Sequence, residues 1–432
     1  MSEQKRSSVF SNRDFKLLFF GSSVSMIGDQ FTLVALPWLV LKLTGDPAAL
    51  GIVLAVMALP RAAFMLIGGA VVDRMSARRV LLASRALNAA FVTLLAVLVM
   101  GGGINMGMLY FIALGIGFST AFVYPAGSAI LPQLMEPEQL QAANGLIMAM
   151  RQLSMFVGPI MAGFVIFLGA HAAVASQPRA LADATGMGLA FSIDAISFLF
   201  SLASLYVIRI HTDYHPPKPE GGVLADVLAG LRSIWADLPL RAFILYVSMI
   251  ALFVGGPVQV GLPVLANTRL DLGAAALGTL MTANGGGVLV GSVLSRVSTR
   301  LFGGRLGIMF LSLDVVAGLA FVALVFVHST LSGAALLMLL GAFMGINQVG
   351  LFSWVQQRVP QAMMGRTMSV MFFTFMGLGP ISAAAAGFLL KFLSLSTLFA
   401  GAGLAMSLIA LACLANPALR SIAIQLPASA KA

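Results

Sequence analysis

The sequence has little charge and almost no cysteine. Only 9% of its 432 residues are charged, whereas soluble domains carry about 25%. Too few polar side chains remain to cover a water-facing surface, so this composition excludes a soluble globular domain. A lone cysteine, Cys413, excludes an internal disulfide framework and a cysteine-ligated metal site.

The motifs of nucleotide and metal chemistry are also missing. No Gly-x4-Gly-Lys-Ser/Thr loop occurs, which argues against a transporter driven by its own ATP-binding domain. No His-Glu-x-x-His motif occurs, and the four histidines are scattered. We therefore expect no enzyme activity, no catalytic residues, no cofactor and no metal.

What the sequence does contain is long apolar runs. Hydrophobic residues make up 59% of the chain, and the runs are continuous instead of alternating. Continuous runs of about 20 residues predict membrane-spanning helices, not a β-barrel. We predict an all-α membrane protein with twelve spans, at approximately 15–42, 47–73, 79–101, 105–134, 138–169, 186–209, 239–266, 272–297, 304–327, 331–358, 362–391 and 394–415.

The net charge of +10 can be interpreted in two ways: it could serve to bind a nucleic acid, or it could orient the spans in the membrane. The basic residues lie near the ends of the apolar runs, which favours the second reading. With the N-terminus in the cytoplasm, 19 of them, Arg85 included, fall on the cytoplasmic side and 4 on the other. The segment Met1–Lys16 has no signal-peptide pattern. We expect a cytoplasmic (inner) membrane protein with both termini cytoplasmic and no nucleic-acid partner.

The chain divides into two halves of six spans. The longest link, 210–238, begins with a proline-rich stretch and continues as a predicted amphipathic surface helix. Three pairs of short motifs recur between the halves at offsets of 221 to 226 residues. We predict one six-helix bundle at 1–209, a cytoplasmic linker at 210–238 and a second bundle at 239–432.

The link between the second and third spans carries a recognisable pattern. It reads Gly69-x3-Asp73-Arg74-x3-Arg78-Arg79, and a degenerate copy occurs at the same place in the second half. This pattern resembles the major facilitator superfamily of transporters over essentially the whole chain. The fifth span carries Gly158-Pro159, similar to the antiporter motif of the drug exporters, although Ser154 replaces one expected glycine. The resemblance is to the drug and siderophore exporter branch, which includes the macrolide efflux proteins.

This resemblance implies gating roles for two sets of residues. In the family, the loop motif holds the cytoplasmic side closed, which would assign gating to Gly69, Asp73, Arg74, Arg78 and Arg79. The alternative is a charge cluster that only sets the orientation of the spans. A second gating element, Gly158-Pro159, would kink the fifth helix where the two halves meet.

Five polar residues lie inside predicted spans and are candidates for binding substrate or protons: Asp29, Arg61, Arg151, Asp194 and Asn284. Ionisable groups in a membrane interior are rare and mark transport pathways. We expect Asp29 to carry a proton or contact a cationic substrate, unless it belongs to a static polar network. Arg61 is either its counter-ion, a contact for an anionic substrate group, or a side chain extending to the interface. For Asp194, a structural bond to another helix competes with proton transfer.

These observations predict a secondary transporter that exports hydrophobic or amphipathic small molecules, such as drugs or siderophores, in exchange for protons by alternating access. The expected partners are the bilayer, the small-molecule substrate and protons, and the expected state is a monomer. One alternative is a uniporter or flippase for lipid-like molecules. Another is a non-transporting scaffold or sensor, which gives no reason for charged residues inside the spans.

Overall fold

The computed structural model describes residues 9–174, 179–209, 231–232 and 234–424. The side chains at 65–74, 124, 172–174, 179–183, 361–362, 365–366, 369–370 and 372–376 are outside the description. Every regular element within the described ranges is helical. The predicted linker 210–238 lies largely outside them.

Twelve long helical segments follow one another within the described ranges, and we number them α1–α12. Their bounds are α1 Arg13–Thr44, α2 Pro47–Met75, α3 Ala77–Met100, α4 Met106–Gln133, α5 Pro137–Val174, α6 Arg179–Val207, α7 Leu238–Arg269, α8 Ala274–Leu301, α9 Leu306–Val322, α10 Thr330–Arg358, α11 Gln361–Leu389 and α12 Leu395–Cys413. α4 contains two helical pieces and a 3-10 turn, and a π-helical turn at Pro257–Gly261 interrupts α7.

The lengths and compositions of these helices fit a bilayer. Within the described residues, eleven helices are long and apolar enough to span a membrane, and α11 contributes the shorter apolar stretch Gly377–Leu389. The predicted all-α membrane fold is therefore confirmed. Side-chain caps define where several spans begin, because each accepts a hydrogen bond from a backbone N–H of the first turn. These caps are Asn105 on α4, Asp237 on α7, Ser329 on α10 and Ser394 on α12.

The described chain forms two compact units. The first contains residues 9–39 and 56–209, and the second contains residues 40–55 and the described residues from 231 onward. The predicted boundaries at 209 and 239 stay a prediction.

Small residues bring α1 and α6 together in the first unit. A methyl group on Gly28 would overlap the side chain of Ser197, and one on Gly21 would overlap Ser204. The Ser204 hydroxyl also donates to the carbonyl of Leu17 at 2.7 Å. Close contact between helices through small residues is the usual way in which spans associate in lipid. This contact fixes the face of α1 that also carries the candidate site.

The second unit has a similar interface between α8 and α10. Four glycines alternate across it: Gly287, Gly291, Gly341 and Gly345. At each, an added methyl group would overlap backbone atoms of the opposite helix. The two backbones therefore approach as closely as helices can.

Residues 40–55 pack on the end of α11 in the same unit. A methyl group on Gly51 would overlap the backbone at Ala383, and one on Gly387 would overlap the backbone at Pro47. Asp46, in the turn before α2, forms an ion pair of 3.4 Å with Lys391, just after α11. Both side chains are exposed enough for water to weaken this pair.

The α8–α10 contact predicts the effect of Gly291→Ala. The new methyl group would overlap the carbonyl of Ala342, so we expect a loss of about 1–3 kcal/mol from overpacking. Gly401→Ala on α12 is the matched control, since nothing lies within 4 Å of its added methyl group. Thermal unfolding of the purified protein in detergent should show a lower Tm for Gly291→Ala only. Equal Tm values for the two variants would contradict this packing.

Candidate functional site

Asp29 lies near the middle of α1, inside the first unit. Its side chain is exposed, yet protein atoms crowd around it and three arginines lie within electrostatic reach: Arg61, Arg85 and Arg151. These arginines come from α2, α3 and α5. A mid-span carboxylate that is exposed among arginines faces a recess in the protein, since acyl chains would leave both signs of charge unsolvated. Sequence reasoning proposed Arg61 as the counter-ion, and the structure brings the two residues together.

Arg85 is the most deeply buried of these three arginines. Its guanidinium donates to the Ser25 hydroxyl at 2.6 Å, lies 5.5 Å from the ring centroid of Phe198, and is 6% exposed. The sequence placed Arg85 at the cytoplasmic end of its span. In the structure it stands eight residues into α3, about 12 Å along the helix axis. A count of charges along the sequence does not distinguish an arginine at a helix end from an arginine that lies two turns inside the helix.

Asp194 on α6 is almost completely buried, at 1% exposure. Its carboxylate accepts hydrogen bonds from the Thr32 hydroxyl on α1 and from the Ser197 hydroxyl, the latter at 3.2 Å. The cation within its electrostatic reach is Arg85, and Asp29 lies close enough to repel it. The bond from Thr32 therefore joins α1 to α6, which suits a structural role for Asp194.

The five charged residues have unequal access to water. Asp29 is exposed, Arg61 and Arg151 are half-buried, and Arg85 and Asp194 are buried. When all five are ionised, the cluster carries one positive charge in excess. Such a cluster can attract an anionic group.

The remaining candidate, Asn284, lies on α8 in the second unit. Its side-chain amide points to the carbonyl of Leu337 on α10 at 3.5 Å, at the glycine-rich interface between these helices. The other four candidates belong to the first unit. A role for Asn284 in binding stays a prediction.

Of the predicted gating residues, Gly69, Asp73 and Arg74 lie outside the residues whose side chains are described. Arg78 donates from Nε to the carbonyl of Leu205 at 3.2 Å and from Nη2 to that of Tyr206 at 2.6 Å. It thus satisfies carbonyls at the C-terminal end of α6, where a cation is favourable. Arg79 is exposed.

The second gating element, Gly158-Pro159, lies within the continuous helix α5. A methyl group on Gly158 would overlap the side chain of Gln30 on α1. Nearby, the Ser154 hydroxyl donates to the carbonyl of Met26 at 2.5 Å. The motif therefore brings α5 against the segment of α1 that carries Asp29, and its gating role stays a prediction.

Three residues of the site were not predicted from the sequence: Arg85, Thr32 and Ser197. Arg85 had a signal, because Asn88 follows three residues later and both polar side chains interrupt an apolar helix. Threonine and serine inside spans give no such signal, because they satisfy their own backbone as readily as a partner. Among the described residues, no group of three His, Cys, Asp or Glu side chains is placed to hold a metal ion.

An all-helical membrane fold with a charged cluster inside its spans is typical of a membrane transport protein. The model of the Major Facilitator Superfamily matches residues 18–384, and the chain belongs to this superfamily. It is accordingly a multi-pass transporter of small molecules and not an enzyme.

Relatives and solved structures agree with this assignment. The chain is 28% identical over 423 residues to the multidrug efflux pump Tap of Mycolicibacterium fortuitum, covering 94% of this chain and 96% of that protein. It is 22% identical over 352 residues to the enterobactin exporter EntS of Escherichia coli O1:K1 / APEC, covering 82% and 79%. A crystal structure of the nucleoside transporter NupG matches with a TM-score of 0.70 at 14% identity, covering 93% and 98%. The predicted likeness to drug and siderophore exporters is confirmed.

The burial of Arg85 predicts the effect of Arg85→Gln. Asp194 would lose the cation within its reach, and removing one partner of a buried charge pair typically destabilises a protein by about 3–5 kcal/mol. Adding Asp194→Asn should recover about 0.5–3 kcal/mol, because the two residues interact. Thermal unfolding in detergent measures both changes.

The control is Arg79→Gln, which removes an exposed arginine from the same helix. It should change stability by no more than about 0.5 kcal/mol. Equal losses for Arg85→Gln and Arg79→Gln would contradict a buried charge at Arg85.

Proposed function

We propose that this chain exports hydrophobic or amphipathic small molecules in exchange for protons, by alternating access. The observation that carries the proposal is the exposed carboxylate of Asp29 among three arginines, at mid-span in the first unit. The relatives support the direction of transport and the class of substrate, since one is named as a multidrug efflux pump and another as an enterobactin exporter.

Asp29 is suited to the proton step because its interaction with the neighbouring arginines differs between its two charge states. As a carboxylate it attracts Arg61 and Arg151, which hold it within the cluster. Protonation removes that attraction, and release of the proton restores it. The interactions within the cluster thereby change with each proton that passes, which links proton movement to the conformational cycle of alternating access. Asp194 takes no part in this step, since its bonds to Thr32 and Ser197 hold it in place.

An apolar recess in the first unit supports a hydrophobic substrate. It has a volume of about 720 Å³ and is lined by α2, α3 and α4, with aromatic rings at Phe64, Phe91, Phe111 and Phe118. Pro60, which also lines it, directly precedes Arg61. The apolar body of a small molecule fits such a surface.

The same recess supports the second candidate, a uniporter or flippase for lipid-like molecules. An acyl chain would occupy the apolar surface, and no proton exchange would be needed. The two candidates differ in energy source, because only the exporter requires a pH gradient.

The location and cycle follow from the same proposal. We place the protein in the inner membrane with both termini in the cytoplasm, on the asymmetry of its basic residues, and we expect it to act as a monomer. The loop from Gly69 to Arg79 would close the cytoplasmic side, and Gly158-Pro159 would bend α5 as the halves exchange access.

Reconstituted vesicles with an imposed pH gradient test the function. Macrolides, tetracyclines, dyes, siderophores and lysolipids should be screened with and without the gradient. Gradient-driven movement of an amphipathic compound supports the exporter. Equal movement of a lysolipid in both conditions favours the flippase and contradicts proton coupling.

Asp29→Asn should reduce gradient-driven transport to background, because the amide cannot take up and release a proton. Binding of the compound identified in the screen should persist, since Arg61 and Arg151 are retained. Asp271→Asn is the matched control, as it changes an exposed acid in the turn between α7 and α8. Full proton-driven transport by Asp29→Asn would remove this residue from the coupling step.

A further inference from the structure

A further acidic residue lies inside the spans, in the second unit. Asp314 on α9 accepts a hydrogen bond from the Tyr246 hydroxyl on α7, with 2.5 Å between Oη and Oδ2. Its other oxygen, Oδ1, accepts from the Asn347 side-chain amide on α10 at 2.8 Å. One carboxylate thus connects three helices, and each of its oxygens has one neutral donor.

Asp314 differs from Asp29 in having no cation beside it. Within the described residues, no lysine or arginine lies within salt-bridge distance of its carboxylate, and its polar partners are the two neutral donors. Cys413 on α12 lies near Tyr246, and neither α8 nor the short helix Pro417–Arg420 directs a charged group at Asp314. An ionised carboxylate in a span is usually paired with an opposite charge. The environment of Asp314 therefore accommodates its neutral form.

The partners of Asp314 can also serve that neutral form. The Oδ1 of Asn347 is buried and has no hydrogen-bond partner within the described structure. When a proton binds, a new O–H bond forms on the carboxylate and its charge falls from −1 to 0. A half-turn of the Asn347 amide then presents its oxygen as an acceptor for that O–H group. The site keeps a hydrogen bond at this position in both states.

We propose that Asp314, with Tyr246 and Asn347, forms a second proton-binding site, separate from Asp29 and contained in the second unit. Asp314 is half-buried, so part of the residue lies at the surface of the unit, whereas Tyr246 is 3% exposed. The Tyr246 hydroxyl donates to the charged carboxylate more strongly than to the neutral acid. Proton binding therefore loosens the contact between α7 and α9.

Loosening of this contact can lead to a larger movement of α7, because Tyr246 lies before an irregular turn in that helix. α7 is interrupted by the π-helical turn Pro257–Gly261, and such turns are frequent at functional sites. A weaker contact at Tyr246 would free the first part of α7 while the part after the turn stays packed. The role of this motion in transport rests on the proposed exchange of protons, whereas proton binding itself does not.

Infrared difference spectroscopy of the purified protein tests the site directly. A titration of pH should reveal a carboxylic-acid carbonyl band that appears on acidification and is lost in Asp314→Asn. The band should remain in Asp29→Asn and in the surface control Asp271→Asn. An unchanged band in Asp314→Asn, or no such band at any pH, would overturn the proposal.

A second variant keeps the test valid if Asp314→Asn folds poorly. Tyr246→Phe preserves the ring and removes one donor to the ionised carboxylate, so the acid band should persist to higher pH. An unchanged midpoint in Tyr246→Phe would show that the tyrosine does not sense the proton. Replacing potassium with sodium at constant ionic strength should leave the band unaltered, and its loss would assign the site to a metal cation.

The result of the infrared test is independent of the result of the transport test of the proposed function. Proton-driven transport that survives Asp29→Asn removes Asp29 from coupling without affecting the Asp314 band. Conversely, a missing Asp314 band leaves exchange through Asp29 intact.

Discussion

The buried guanidinium of Arg85 is the interaction on which the first unit depends. It reaches Ser25 on α1 and the Phe198 ring on α6 from its place on α3, and it lies within electrostatic reach of Asp29 and Asp194. A buried charge is stable only when its partners are fixed, so three helices must hold one arrangement around it. The small residues between α1 and α6 make that arrangement possible, because they let Thr32 reach Asp194.

Three acids inside the spans have three different environments, and these environments separate their roles. Asp194 is buried and held by hydroxyl groups, which suits a structural bond. Asp29 is exposed among arginines, which suits a carboxyl group whose attraction to its neighbours changes when a proton binds. Within the described residues the hydrogen-bond donors to Asp314 are neutral, which suits a proton alone. Similar carboxyl groups are thereby given separate functions by their neighbours.

Hydropathy alone was enough to predict the helices. The third span, for example, was predicted at 79–101 and is found at Ala77–Met100, because an apolar run of this length has only one stable form in a bilayer. Asp29 and Asp194 were predicted as candidates for the related reason that ionisable groups in spans stand out. Arg85 was placed at a helix end, and Thr32 and Ser197 were missed, because which faces of two helices meet depends on packing that hydropathy does not encode. The packing of residues 40–55 with the second unit likewise depends on contacts between distant parts of the chain.

The central claim is that Asp29 faces a water-filled recess, and thiol labelling tests it most directly. Cys413 is the single native cysteine, so Cys413→Ala provides a background for Asp29→Cys and for Val24→Cys. Val24 is an exposed apolar residue of α1, about 140° around the helix from Asp29. A charged, membrane-impermeant thiol reagent should modify Asp29→Cys rapidly and Val24→Cys slowly. Modification of both positions only by a membrane-soluble reagent would contradict the account.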